Sequence, residues 1–274
     1  MTFTILQSVY KNDKPQFLSE CFESLARQTI PAKKIILVKD GNIPFELENI
    51  IKNWQTKLPI TVVGYEENQG LAHALNYGLD FVDTEYVARM DSDDYCFPNR
   101  FEELLKFFNN NNNAVICGTA ISEFYIKSNG EEIRKIRLFP KEVNKKSECL
   151  YRGTPLGHPT VMMKTELLKQ FKYSESTSMN EDIDLWFRIL DAGYTIYNIE
   201  TPLLNFRVTD GTFARRSIKK AFAEYKIYNK YLKKFFGFSF KRVYPVARFI
   251  TRFLPFKLNK KLYFSNLRMK ILAK

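Results

Sequence analysis

The chain has 274 residues, 45% hydrophobic and 15% aromatic, which suits one sizeable core, or a core with an appendage, and excludes a disordered or low-complexity chain. Its net charge of +12 is uneven: residues 211–274 hold 18 Lys and Arg against one acid, Glu224, so this tail carries +17 and residues 1–210 carry −5. Four scattered cysteines and two histidines offer no zinc spacing, and no run reaches the roughly 18 apolar residues of a membrane-spanning helix.

The elements alternate from the start. Residues 2–9 predict a buried strand, and Pro15 opens a helix whose Phe17, Leu18, Cys21, Phe22, Leu25 and Ala26 recur at helical spacing. No basic leader precedes that first strand, so a cytoplasmic protein with reduced thiols is expected. A strand at 35–38 ending in Asp40 and Gly41, a helix at 45–57, a strand at 60–64, a helix at 70–82 and a strand at 86–90 follow. Such alternation predicts an α/β fold, a Rossmann-like domain with a mainly parallel central sheet covered on both faces. Further on, Pro98 begins a helix to about 108, five Asn at 109–113 form a loop, 114–118 is a strand, and Asn129-Gly130 marks a hairpin. Residues 141–151 read as helical, and 153–159 as a loop into a strand at 160–163.

The strand at 86–90 runs straight into Asp91, Asp93 and Asp94. Three carboxylates so close repel one another unless compensated, and Asp91 and Asp93 alternate so as to meet on one hard divalent ion. A solvated turn capping the next helix is the competing reading. In parallel sheets ligands bind beyond the carboxyl ends of the strands, and here those ends carry Ser8 and Tyr10, then Asp40, then the acidic cluster. A chance acidic turn explains only the third. A second polar stretch, Glu181, Asp182 and Asp184, opens a helix with Ile183, Trp186, Phe187 and Leu190 on one face. A helix cap needs one acid, and this stretch offers three.

Six motifs then stand in order: Gln7-Ser8-Val9-Tyr10, Val38-Lys39-Asp40-Gly41, Asn68-Gln69-Gly70-Leu71-Ala72 with Asn76, Asp91-Ser92-Asp93-Asp94, Gly157-His158-Pro159 and Glu181-Asp182. Over about residues 2–216 this series resembles the inverting family 2 glycosyltransferases, of glycosyltransferase A-type fold, in the branch that builds bacterial capsules and exopolysaccharides. The resemblance implies transfer of a sugar from a nucleotide donor, a UDP-sugar, to a saccharide acceptor, polyprenyl-linked. It assigns Ser8, Tyr10 and Asp40 to the base, with Asp40 accepting the uracil imide hydrogen. Asp91 faces the ribose, Asp93 holds Mn2+ or Mg2+ on the diphosphate, and Asp182 is the general base. His158 and Glu181 are placed near the acceptor or diphosphate.

Two departures matter. Where many relatives carry Arg before Asn76 this chain has Leu75, with His73 or Arg89 as the substitute; where many have Arg-x-His it has Arg207-Val208-Thr209. Arg207, Arg215 or Arg216 is therefore expected to neutralise the diphosphate.

The sequence divides into a catalytic domain, 1–216, and a basic amphipathic helical tail, 217–274. Apolar stripes through Ile218, Phe222, Tyr225, Leu232 and Phe235, and again after Pro245, lie among Lys and Arg. Such helices suit an anionic membrane surface and imply a peripheral protein on the inner face of the cell membrane. Alternatively the stripes pack on the body. Nucleic acid is not expected, since no nucleic-acid module accompanies the tail. A sugar nucleotidyltransferase is the rival enzyme, but Ser8 to Lys14 lacks the glycines of its phosphate loop. A non-catalytic adaptor for membrane or nucleic acid leaves the acids at the strand ends unexplained.

Overall fold

Alternating residues of each central strand feed two separate cores, and this fixes the layering. In β1 (Phe3–Val9) Leu6 joins one cluster and Ile5 the other; in β2 (Lys34–Asp40) Ile36 and Val38 part from Ile35 and Leu37 in the same way. Successive side chains point to opposite faces, so a sheet buried on both sides takes apolar residues on both, with Thr4 and Gln7 as the fully buried polar residues of β1. A computed structural model describes residues 1–176, 180–209, 218–251 and 253.

β3 (Ile60–Tyr65), β2, β1 and β4 (Tyr86–Arg89) lie side by side and parallel. The sheet continues with β9 (Met162–Lys164), antiparallel to both neighbours, then β6 (Ile116–Ile126), then β10 (Ile196–Arg207) parallel to β6. β5 (Tyr95–Cys96), β7 (Glu132–Arg137) and β8 (Glu142–Val143) add antiparallel edges. The expected α/β fold with its mostly parallel sheet is what forms. Helices α1 (Pro15–Ala26), α2 (Phe45–Gln55) and α4 (Arg100–Asn110) contribute to one core. On the other lie α3 (Leu71–Leu79), α5 (Thr165–Phe171) and α6 (Glu181–Asp191).

Several local expectations shift. The stretch 141–151 is not a helix. Glu142 and Val143 pair with Tyr197 and Ile196, and a 3-10 turn, Glu148–Tyr151, follows. The strand placed at 160–163 begins at Met162, after a 3-10 turn at His158–Thr160. The strand placed at 114–118 runs on to Ile126, because its hairpin partner β7 extends the ladder. All four cysteines are unpaired.

The tail begins with a helix that packs on the body. In α7 (Ile218–Phe236), Ile227, Tyr228, Tyr231 and Leu232 enter the same core as Trp186 and Phe187 of α6. Tyr231 stacks on Phe187, centroids 5.1 Å apart. The second helix, α8 (Val243–Thr251), sits on α7 through Phe249 against Phe222 and Tyr225, while Ile250 and Phe253 stay exposed. Among the described residues no helix is long and apolar enough to cross a membrane.

Candidate active site

Because β2, β1 and β4 are neighbours, their carboxyl ends bring Asp40, Ser8 with Tyr10, and the Asp91–Asp94 loop to one edge of the sheet. Asp13 joins two of these ends: its carboxylate accepts from the backbone N of Tyr10 (3.2 Å) and from the Ser92 hydroxyl (2.9 Å).

Asp40 is only 5% exposed and anchors the loop ahead of α3. Its carboxylate accepts from the Tyr65 hydroxyl (2.9 Å), Asn68 Nδ2 (2.8 Å) and the backbone N of Gln69 (2.8 Å) and Gly70. Two glycines make this approach possible. A Cβ on Gly41 would stand 2.7 Å from the Asn68 nitrogen, and Gly70 has φ +92°, a conformation L side chains rarely adopt.

Asp91, Asp93 and Asp94 each place a carboxylate oxygen within 4.8 Å of the others. This all-oxygen donor set fits a hard divalent cation such as Mn2+ or Mg2+. Asp94 fits the same reading. One oxygen accepts from the backbone N of Arg207 (2.8 Å), and the other is buried without a hydrogen-bond partner. Burial, then the charges of Asp93 and Asp91, push its carboxyl well above the usual range, as an uncompensated acid cluster requires. Two arginines stand behind the loop. Arg89, 4% exposed, pairs with Asp91 and reaches the carbonyls of Met90 and Leu6. Arg207 Nε donates to the Asp93 carbonyl (2.8 Å), its guanidinium pairs with Glu20, and it lies 4.0 Å from the centre of the Phe17 ring. Arg207 is 8% exposed and lies behind the acidic loop, against Asp93, Glu20 and Phe17. Arg215 and Arg216 lie outside the described residues.

Asp182 is half-buried in the first turn of α6, beside Glu181. Burial, then Asp182, pushes the Glu181 carboxyl up to about 7. His158 Nε2 and the Tyr173 hydroxyl share a hydrogen bond of 2.9 Å. Burial and then the positive charge of Arg89 lower His158 to about 4, against the opposing charges of Asp182 and Asp91, so the imidazole is neutral near pH 7. Burial raises the Tyr173 hydroxyl, which also feels Arg89, Asp182 and Asp91. His158 and Tyr173 therefore lie within the fields of both acidic groups.

Of the two proposed substitutes for the arginine missing at 75, His73 pairs with Glu175 (3.2 Å) and Arg89 supports Asp91. Leu75 itself is fully buried in the core. Sequence reasoning missed Asp13, Tyr65, Tyr173 and Glu175. Only Asp13, two residues before Pro15, carried a turn signal that pointed to the site; the others gain their roles through contacts distant in sequence.

The sequence pattern of glycosyl transferase family 2 matches residues 6–171. The amylovoran biosynthesis glycosyltransferase AmsE of Erwinia amylovora is 33% identical over 95% of this chain and 97% of its own length. A UDP-Gal:alpha-D-GlcNAc-diphosphoundecaprenol beta-1,3-galactosyltransferase of Escherichia coli is 31% identical over 92% of each. Among solved structures, S. aureus TarS 1-349 in complex with UDP superimposes with a TM-score of 0.63 at 19% identity, covering 99% of this chain and 86% of that one, a likeness of fold. With its fold, its ordered motifs and these relatives in agreement, the chain belongs to glycosyl transferase family 2.

Proposed function

We propose that this glycosyltransferase moves a sugar from UDP to a saccharide carried on a polyprenyl lipid, inverting the anomeric centre, in the assembly of a bacterial surface polysaccharide such as a capsule. The observation that supports the reading is the Asp91–Asp94 carboxylate cluster beside the strand ends that carry Asp40 and Ser8, with the charges of Asp91 and Asp182 both reaching His158 and Tyr173. Relatives named for amylovoran synthesis and for galactosyl transfer to a diphosphoundecaprenol support the acceptor class.

Ser8, Tyr10 and Asp40 bind the uracil end, with Asp40 serving both its loop and the base. Asp91, held by Arg89, faces the ribose, and Asp93 with its neighbours holds Mn2+ or Mg2+ against the donor diphosphate. That ion, when bound, offsets the charge growing on the leaving diphosphate. Asp182 takes the proton of the acceptor hydroxyl as it attacks from the face opposite the diphosphate. Glu181 and neutral His158 orient the acceptor beside it. Arg215 and Arg216 are retained as diphosphate contacts.

The catalytic unit is 1–216 and the tail 217–274. Phe238 and Phe240, 88% and 90% exposed, flank Lys241 and Arg242 with Val243 and Ile250, an aromatic and basic surface suited to anionic lipid on the inner face of the cell membrane. The test is a thermal-shift and calorimetric screen of UDP- and GDP-sugars with and without Mn2+, followed by NMR assignment of the product anomer. The reading requires uridine preference, metal dependence and inversion. Guanosine preference or retention of configuration would overturn it.

A further inference from the structure

A cavity of about 880 Å3 lies between α1, β5, the β6–β7 hairpin and the end of β10. Asp91, His158 and Asp182 are absent from its walls, and nothing in the reading above uses it. The half-buried rings of Phe17, Tyr95 and Tyr125 face it together with the carboxylates of Glu20, Glu23 and Glu132. Its cations, Arg27 and Arg207, are paired with Glu23 and Glu20. Glu132 is likewise paired, with Arg134 at 2.8 Å, so each of the three carboxylates has an arginine partner and a phosphate would meet no uncommitted positive charge among the lining residues, which argues against a nucleotide. Flat rings that receive the C–H faces of a sugar, with carboxylates that accept from its hydroxyls, suit a neutral polyol. The volume lies at the upper end of ordinary ligand sites, roughly 300–1,000 Å3, and so suits several linked sugars rather than one. The cavity also shares a wall with the donor half: Tyr95 follows Asp94 directly, and Arg207 holds the Asp93 carbonyl at 2.8 Å.

We propose that this cavity is a second saccharide subsite, which takes the neutral, non-reacting sugars of the acceptor chain. The proposal rests on the acceptor being a saccharide. It predicts saturation-transfer NMR signals from the full chain to neutral di- to tetrasaccharides of galactose, glucose and N-acetylglucosamine, persisting when UDP and Mn2+ saturate the donor site. Tyr125→Ala should weaken binding about fivefold to tenfold, the scale of one lost ring contact. Glu132→Gln, a change at an exposed position, should weaken it in the same direction, and both variants should keep wild-type donor hydrolysis. Absence of binding across the panel, displacement of the saccharide by UDP, or wild-type binding by both variants would overturn the subsite. The transferase reading fails differently, as a wild-type chain that turns over no nucleotide sugar while still binding saccharide.

Discussion

Replacing Arg207 by Met tests whether the Asp91–Asp94 loop, proposed to hold the metal, is held from behind. The change removes a charged donor 2.8 Å from the Asp93 carbonyl, an ion pair with Glu20 and stacking on Phe17 and Phe124 at 4.0 and 4.8 Å. A hydrogen bond from a charged donor contributes about 1.5–3 kcal/mol, and a ring contact to a cation about 0.5–2 kcal/mol. The Glu20 side chain is 36% exposed, so water compensates it and the loss stays below that of a fully buried pair. The Met stem replaces some of the packing. The total is about 3 kcal/mol of stability, or roughly 6–12 °C in Tm for a domain of this size. With the Asp93 carbonyl released, Mn2+-dependent UDP affinity should fall about tenfold by calorimetry, equivalent to ~1.4 kcal/mol. Metal-free UDP binding should be unchanged, and Arg207→Lys should recover part of the stability. If Arg207 instead contacted the diphosphate, metal-free UDP binding would weaken as much as metal-loaded binding with uridine unaffected, and that result would refute the reasoning.

Asp182→Asn should abolish transfer while UDP binding stays nearly intact, whereas Asp93→Ala should lose the metal-dependent part of UDP binding; equal losses of nucleotide affinity in both would contradict the division of roles. For Glu181, the folded value of about 7 lies above the ordinary 4.5, so the folded chain holds the extra proton between them and stability falls as pH rises through that window. Glu181→Gln should therefore gain urea stability relative to wild type from pH 4.5 to 7 and no further above it; a constant difference across the range would rule this out. His158 acts in the opposite sense, its contribution being lost as pH falls from 6.5 through 4. Leu232→Ala, at a fully buried position, should cost about 2–5 kcal/mol in chemical denaturation; a neutral effect would mean that α7 does not share the catalytic core. Phe238→Ser with Phe240→Ser should weaken flotation with anionic vesicles, and wild-type binding indifferent to lipid charge would end the membrane reading.

Composition and periodicity were enough to read the strands and helices of the first hundred residues, because β1, β2 and β4 carry apolar residues on both faces and α1 carries a helical stripe that local chemistry fixes. The acids were legible for the same reason: Asp40 ends β2, Asp91 and Asp93 lie in the loop that follows β4, and Asp182 lies in the first turn of α6. Beyond residue 110 the reading weakened. β8 and β10 form because they find partners, and a two-residue strand such as Glu142–Val143 has no periodicity of its own. Which residues support the site was likewise a tertiary matter. Asp13 bonds across 79 residues to Ser92, and Arg207 across 114 to Asp93. The tail shows the same division. Its sequence determined that the helix is amphipathic and basic, but not where the apolar stripe would turn. Only the apolar side of α6, where Phe187 stacks on Tyr231, decided that α7 packs inward while Phe238 and Phe240 stay exposed, because burial depends on which apolar surface lies within reach.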